Sequence, residues 1–120
     1  MTKLINQNIP FEIIFRDGAF ILVGIAPEYE YVDNQRTDKV IGFKYEVVDT
    51  MNFDKITVKV RGQKKPLMPL EKLLELRESG EKVLVEFIKG VDKLYIRRNG
   101  NIQTVEDSFS AENINIIEQE

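Results

Sequence analysis

Between Val40 and Arg61 the chain reads VIGFKYEVVDTMNFDKITVKVR, two stretches of period-two alternation joined by a short polar connection. A strand sends successive side chains to opposite faces, so the pattern requires a two-faced antiparallel pair. Ile41, Phe43, Tyr45 and Val47 share one face of the first arm. Ile56, Val58 and Val60 share the matching face of the second, with Lys55, Thr57, Lys59 and Arg61 behind them. Tyr45 keeps register with Phe43 and Val47 and is read as core. One face is therefore apolar and the other basic, and Asp49-Thr50-Met51-Asn52 supplies the turn.

The basic charge gathers in the same place. The 120 residues carry 17 Lys and Arg against 20 Asp and Glu, a net charge of −3, which taken whole argues against a nucleic-acid-binding domain of high pI. The distribution is uneven: residues 1–34 sum to −3, residues 35–65 to +4 and residues 66–120 to −4. Two readings of the central charge stand side by side, a solvated strand face whose lysines resist aggregation or a site for a polyanion.

With no cysteine and no histidine, disulfides, thiolate metal sites, zinc enzymes and His-based triads are excluded. No metal, cofactor or enzymatic activity is expected, because only scattered Asp, Glu, Lys and Tyr remain to act as nucleophile and base. The glycines stand singly, none of them in a phosphate-cradling loop. No apolar run approaches the ~18 residues of a membrane span, so the expectation is one soluble, cytoplasmic domain over residues 1–120 without membrane association.

Upstream, the first ten residues, around Leu4, Ile5 and Ile9, read as an arm or edge segment. Phe11, Ile13 and Phe15 alternate ahead of Asp17-Gly18 and the apolar run AFILVGIA, which predicts an N-terminal hairpin turning at Asp17-Gly18. Gly24 within that run marks a bulge or bend. Glu28 to Asp38 places Tyr29 and Tyr31 on one side of an extended segment and then supplies Asp33-Asn34 and a polar loop.

Downstream, Gly62-Gln63-Lys64-Lys65-Pro66 breaks the strand. Pro69 opens a helix to about Ser79, with Leu70, Leu73 and Leu74 as its buried stripe, Leu76 as a further candidate, and Gly80 as its stop. Val83, Val85 and Phe87 predict the next strand. In the following one, Lys93 to Arg98, Lys93, Tyr95 and Arg97 share a side. Asn99-Gly100 is a strong hairpin signal that folds Asn101 to Val105 back, and Ile114, Ile116 and Ile117 offer a last strand.

A helix between the third and fourth strands of a small five-stranded Greek-key barrel describes the OB-fold. Strand one is then Ala19–Val32, two Val40–Asp49, three Phe53–Arg61, four Lys82–Ile88 and five Lys93–Arg98, with the helix leucines plugging the barrel. The fold class is mainly β with the N-terminal hairpin added; the alternative is an α+β open sheet with the helix on one side. OB barrels bind oligonucleotides on the face of strands two and three and on the loops that flank it. That surface holds Lys44, Lys55, Lys59 and Arg61, with Tyr29, Tyr31 and Arg36 near the first loop, Lys64 just past the third strand, and Tyr95 with Arg97 on the fifth. The tyrosines serve there either as rim residues with hydroxyls in water or as stacking platforms for bases.

The stretch IGFKYEVVDTMNFDKITVKVRG, the helix PLEKLLEL and the ending DSFSAENINII resemble the small OB-fold single-stranded-DNA-binding proteins of phages, conjugative plasmids and integrative elements of Gram-positive bacteria. The resemblance implies sequence-tolerant, non-catalytic binding of single-stranded DNA during replication or transfer of a mobile element. A protein partner from that machinery is an open possibility. Self-association into a homo-oligomer is a further possibility for so small a barrel. The competing class of function is a protein-interaction or structural accessory module of such an element.

Overall fold

The structure, a computed structural model, describes residues 8–15 and 18–117. The elements run β1 (Asn8–Pro10), α1 (Phe11–Ile14), β2 (Phe20–Val32), β3 (Gln35–Asp49), β4 (Lys55–Arg61), α2 (Leu70–Glu78), β5 (Leu84–Ile88), β6 (Val91–Asn99), β7 (Ile102–Ala111) and β8 (Asn113–Ile116). The protein is mainly β, as the alternating patterns require. The eight strands among the described residues form one sheet in the order β1-β6-β7-β4-β3-β2-β5-β8. The two end strands do not pair with each other, so the sheet is a curled half-barrel that stays open.

The β3–β4 pair forms in the register that the alternation demands. Phe43 lies opposite Val60, Tyr45 opposite Val58 and Val47 opposite Ile56, and Tyr45, Val47, Val58 and Val60 are wholly buried. Asp49 closes the turn: its buried carboxylate accepts the Met51 N–H at 3.1 Å and the Asn52 N–H at 3.2 Å. The core also takes in Leu22, Leu73, Val85 and Ile114 and ends in a cluster of five phenylalanines. Phe11 stacks edge-on against Phe15, Phe87 and Phe109, and Phe20 against Phe15 and Phe87.

Several sequence expectations are corrected. Phe11 to Ile14 form a helical turn rather than the first arm of a hairpin. Phe11 and Phe15, four apart, both face the core while Ile13 is 69% exposed, which is helical rather than strand spacing. Asp17, half of the expected turn, lies outside the described residues, as do Leu4 and Ile5 and the acidic end at 118–120.

The polar run after Glu28 is strand rather than loop. Asp33 and Asn34, both at positive φ (52° and 63°), make a two-residue turn, and β2 and β3 continue to it as a ribbon. Among the described residues the sheet holds, besides the five strands expected of the barrel, β1, the return strand after Asn99-Gly100 as β7 and the last strand as β8. The strand that pairs with β4 is β7, running parallel to it, and β6 lies beyond β7.

Helix α2 occupies the predicted span, and Gly80 at φ 82° ends it, but its buried stripe is narrower than expected. Leu73 is fully buried and Leu76 packs on the core, whereas Leu70 and Leu74 are 43% and 45% exposed. The helix sits against β2 at the bulge that Gly24 marks, where the register shift frees the Val23 carbonyl and Arg77 donates to it at 2.8 Å. No helix among the described residues is long and apolar enough to cross a membrane.

Candidate nucleic-acid interface

The face of β3 and β4 turned away from the core carries the predicted cations in successive rows. Val48 lies opposite Lys55, Glu46 opposite Thr57, Lys44 opposite Lys59 and Gly42 opposite Arg61. Gly42 allows the close approach in the last row, since a Cβ there would overlap the Val60 carbonyl oxygen and the Arg61 backbone. With nothing projecting from Gly42, Arg61 reaches Glu28, its Nε donating to Oε1 at 2.9 Å. Glu28 is buried, and its second carboxylate oxygen has no hydrogen-bond partner among the described residues. At the other end of β4, Lys55 pairs with Glu46 at 3.2 Å, both side chains largely in solvent.

Two of the four strand cations are thus matched by acids, and Lys44 and Lys59 are not: among the described residues neither forms an ion pair. Like charges directly opposite on neighbouring strands destabilise a sheet. Beyond Lys59 the same row continues to Ser110 on β7. There a groove of about 520 Å³ is lined by Lys59, Arg61, Ser110 and Asn8, with Lys89 and Glu112 at its edge. Lys89, which the sequence reading missed, pairs with Glu112 at 3.7 Å on the solvent side, an arrangement that adds little stability and is easily exchanged.

The remaining predicted residues fall at two opposite ends. Ladder pairing of β3 with β4 stops at Gly42 and Arg61, so residues 29–40 run on past the C-terminal end of β4 as a free ribbon. Tyr29, Tyr31 and Arg36 lie on it, and Lys64 follows Arg61 at that same end. The Arg36 guanidinium lies over the Tyr29 ring, 4.6 Å from its centroid, so that ring is already partly covered, while Tyr31 is 66% exposed.

Tyr95 and Arg97 belong to a second ribbon. Only the last three residues of β7 pair with β4, so the rest of the β6–β7 hairpin projects past the N-terminal end of β4. Tyr95 stands opposite Glu106 there and Arg97 opposite Thr104.

The base of this second ribbon is acidic. Asp54, Asp92, Glu106 and Asp107 line a cleft of about 640 Å³, with Lys55 on its rim. Asp92 is 4% exposed, and one of its carboxylate oxygens has no hydrogen-bond partner among the described residues. Burial first, and then the adjoining Asp107 carboxyl, push the Asp92 pKa up to about 7, against the opposing effect of the Ser108 N–H. The cleft joins positions 54, 92, 106 and 107, which the sequence scatters; strand pairing alone assembles it. Among the described residues no group of three or more acidic side chains could hold a metal ion. Compared with known proteins, the chain matches no protein-family model, no curated relative and no solved structure.

Proposed function

We propose that this protein binds single-stranded DNA without sequence preference and without catalysing a reaction, in the replication or transfer of a mobile element. The observation that carries the reading is the Lys44–Lys59 pair. Two lysines face each other across adjacent strands without an acid partner among the described residues, and Lys59 opens onto a groove that adds Arg61 and Lys89. A phosphate backbone crossing the strands along that row relieves the repulsion and releases counterions. Tyr31, exposed on the ribbon at the Arg61 end, supplies a stacking surface for a base.

The strand connections support an OB-type origin. β2 pairs with both β3 and β5, β4 pairs in parallel with β7, and α2 falls between β4 and β5. OB-folds bind oligonucleotides on the sheet face that β3 and β4 would provide here.

The test is a titration of fluorescent oligo-dT at two salt concentrations with the wild type and the Lys44→Gln/Lys59→Gln variant. The expected result is salt-sensitive wild-type binding. In the variant, affinity falls and the slope of log K against log salt becomes shallower by about 1.4, the share of two phosphates on a single strand. An unchanged slope and affinity would remove this surface from the binding site. These two half-buried lysines are a cleaner test than Arg61, whose loss would also leave the buried Glu28 carboxylate unpaired.

A further inference from the structure

The β6–β7 ribbon beyond the sheet has a face that is complementary to itself. Leu94, Ile96 and Arg98 share it with their cross-strand partners Asp107, Val105 and Gln103. At its centre Ile96 is 45% and Val105 64% exposed. One row toward the tip stands Arg98 and one row toward the base Asp107, both exposed and neither ion-paired among the described residues. Within one chain they lie two rows apart, roughly 13 Å along the strand, too far to meet. Among the described residues the ribbon also lacks neighbours: β1 pairs with β6 only as far as Lys93, and β4 with β7 only from Phe109 onward. An isolated two-stranded ribbon with an apolar face is marginally stable in water.

We infer that this ribbon is a self-association surface. It docks face to face and antiparallel with the same ribbon of a second copy, through Ile96 and Val105 at the centre and an Arg98–Asp107 pair on each side. A two-fold axis lying between the faces and crossing the strands at the Ile96–Val105 level stacks each of these residues on its own counterpart. It sets each Arg98 above the second copy's Leu94, with Asp107 on the adjacent strand ~4.8 Å to the side. The long Arg stem covers Leu94 while the guanidinium reaches the carboxylate.

The acid cleft at the ribbon base adds to the attraction, because Asp54 and Glu106 line it beside Asp107. Asp92 and Asp107 repel each other when both are ionised, and the incoming cation offsets that. The contact is isologous, so it closes at two copies. It covers far less than the ~800 Å² per partner of a standard interface, and the association is correspondingly weak and concentration-dependent. It is independent of DNA binding, since the ribbon leaves the sheet at the end opposite Tyr31 and Lys64.

Sedimentation velocity of the full chain at submillimolar concentration and low salt tests this with three variants: Arg98→Asp, Asp107→Arg and the exchange variant carrying both. The wild type is expected to show a reversible species of twice the 13.9 kDa monomer mass. Each single variant weakens it at least tenfold, and the exchange variant regains it. An equimolar mixture of the two single variants also regains it, because one chain then carries acids at both positions and the other carries arginines at both, so each cross-copy pair again joins opposite charges. A wild type that stays monomeric, or a dimer that survives both single variants, would overturn the proposal. So would failure of the mixture and the exchange variant to recover.

Discussion

Tyr45 takes a hydroxyl into the core and satisfies it on both sides. The hydroxyl donates to Gln63 Oε1 at 2.7 Å and accepts the Leu67 N–H at 2.9 Å, which ties the β4–α2 connection to the sheet. Burial raises the phenol pKa above its usual 10.0, so the group stays a donor through the physiological range. Tyr45→Phe leaves two part-buried polar groups without a partner and is expected to lower the unfolding free energy by about 1–3 kcal/mol in a urea titration; an unchanged midpoint would mean that water replaces the hydroxyl at no cost. The alternation identified Tyr45 as a core residue but could not supply its partners, because Gln63 and Leu67 reach it only after the chain has turned.

Asp92 carries the second residue-scale prediction. Its carboxyl titrates at about 7 in the fold against 3.8 ordinarily, so between these values the folded chain holds a proton that the unfolded chain releases. The stability this group contributes is full below about pH 4, declines as pH rises through about 7, and is absent above. Asp107 faces it directly, and Asp54, Glu106 and Lys55 line the same cleft. In Asp92→Asn the side chain is neutral throughout. The variant's melting temperature should therefore gain on the wild type from about pH 4 to about pH 7 and hold that gain above, and parallel curves would refute the assignment.

At the scale of elements, α1 shows how a short pattern misleads. Five residues with apolar groups at positions 11, 13 and 15 fit a strand as well as one helical turn. The choice falls to the helix because Phe11 and Phe15 enter the phenylalanine cluster together and the Phe11 N–H bonds the Gly90 carbonyl at 2.9 Å. A Cβ on Gly90 would overlap the Phe11 ring. Gly90→Ala is accordingly expected to destabilise by about 1–3 kcal/mol through overpacking, and calorimetry would detect it.

Helix α2 makes the complementary case, its span legible from Pro69 and Gly80 but its buried side not. Leucines at 70, 73, 74 and 76 allow more than one stripe, and the approach of the helix to the β2 bulge selects Leu73 and Leu76. Leu73→Ala should cost about 2–5 kcal/mol. Leu74→Ala should change stability by less than about 0.5 kcal/mol, as an exposed site does. Equal losses would restore the wider stripe.

For the whole molecule, the two ribbons leave the sheet at opposite ends, which accounts for its 48 Å long dimension. This separates two surfaces, a cationic row through Lys44 and Lys59 and an apolar, charge-paired face on β6–β7. Arg98→Asp is thus expected to weaken self-association at least tenfold and leave oligo-dT affinity per chain within about twofold, since a rim charge far from the row acts only through screened fields; a large loss would mean that the ribbon lies along the DNA path. By itself the sequence determined the central strands, the β3–β4 register, the helix span and the basic face, because alternation and turn chemistry are local and period-two patterning fixes which side is buried. Only the tertiary structure decided that β7 and not β6 joins β4, that Glu28 takes up Arg61, and that Asp54, Asp92 and Asp107 share a cleft. Those facts depend on contacts between segments up to 53 residues apart, and nothing in a local pattern records which distant strand edge will be its neighbour.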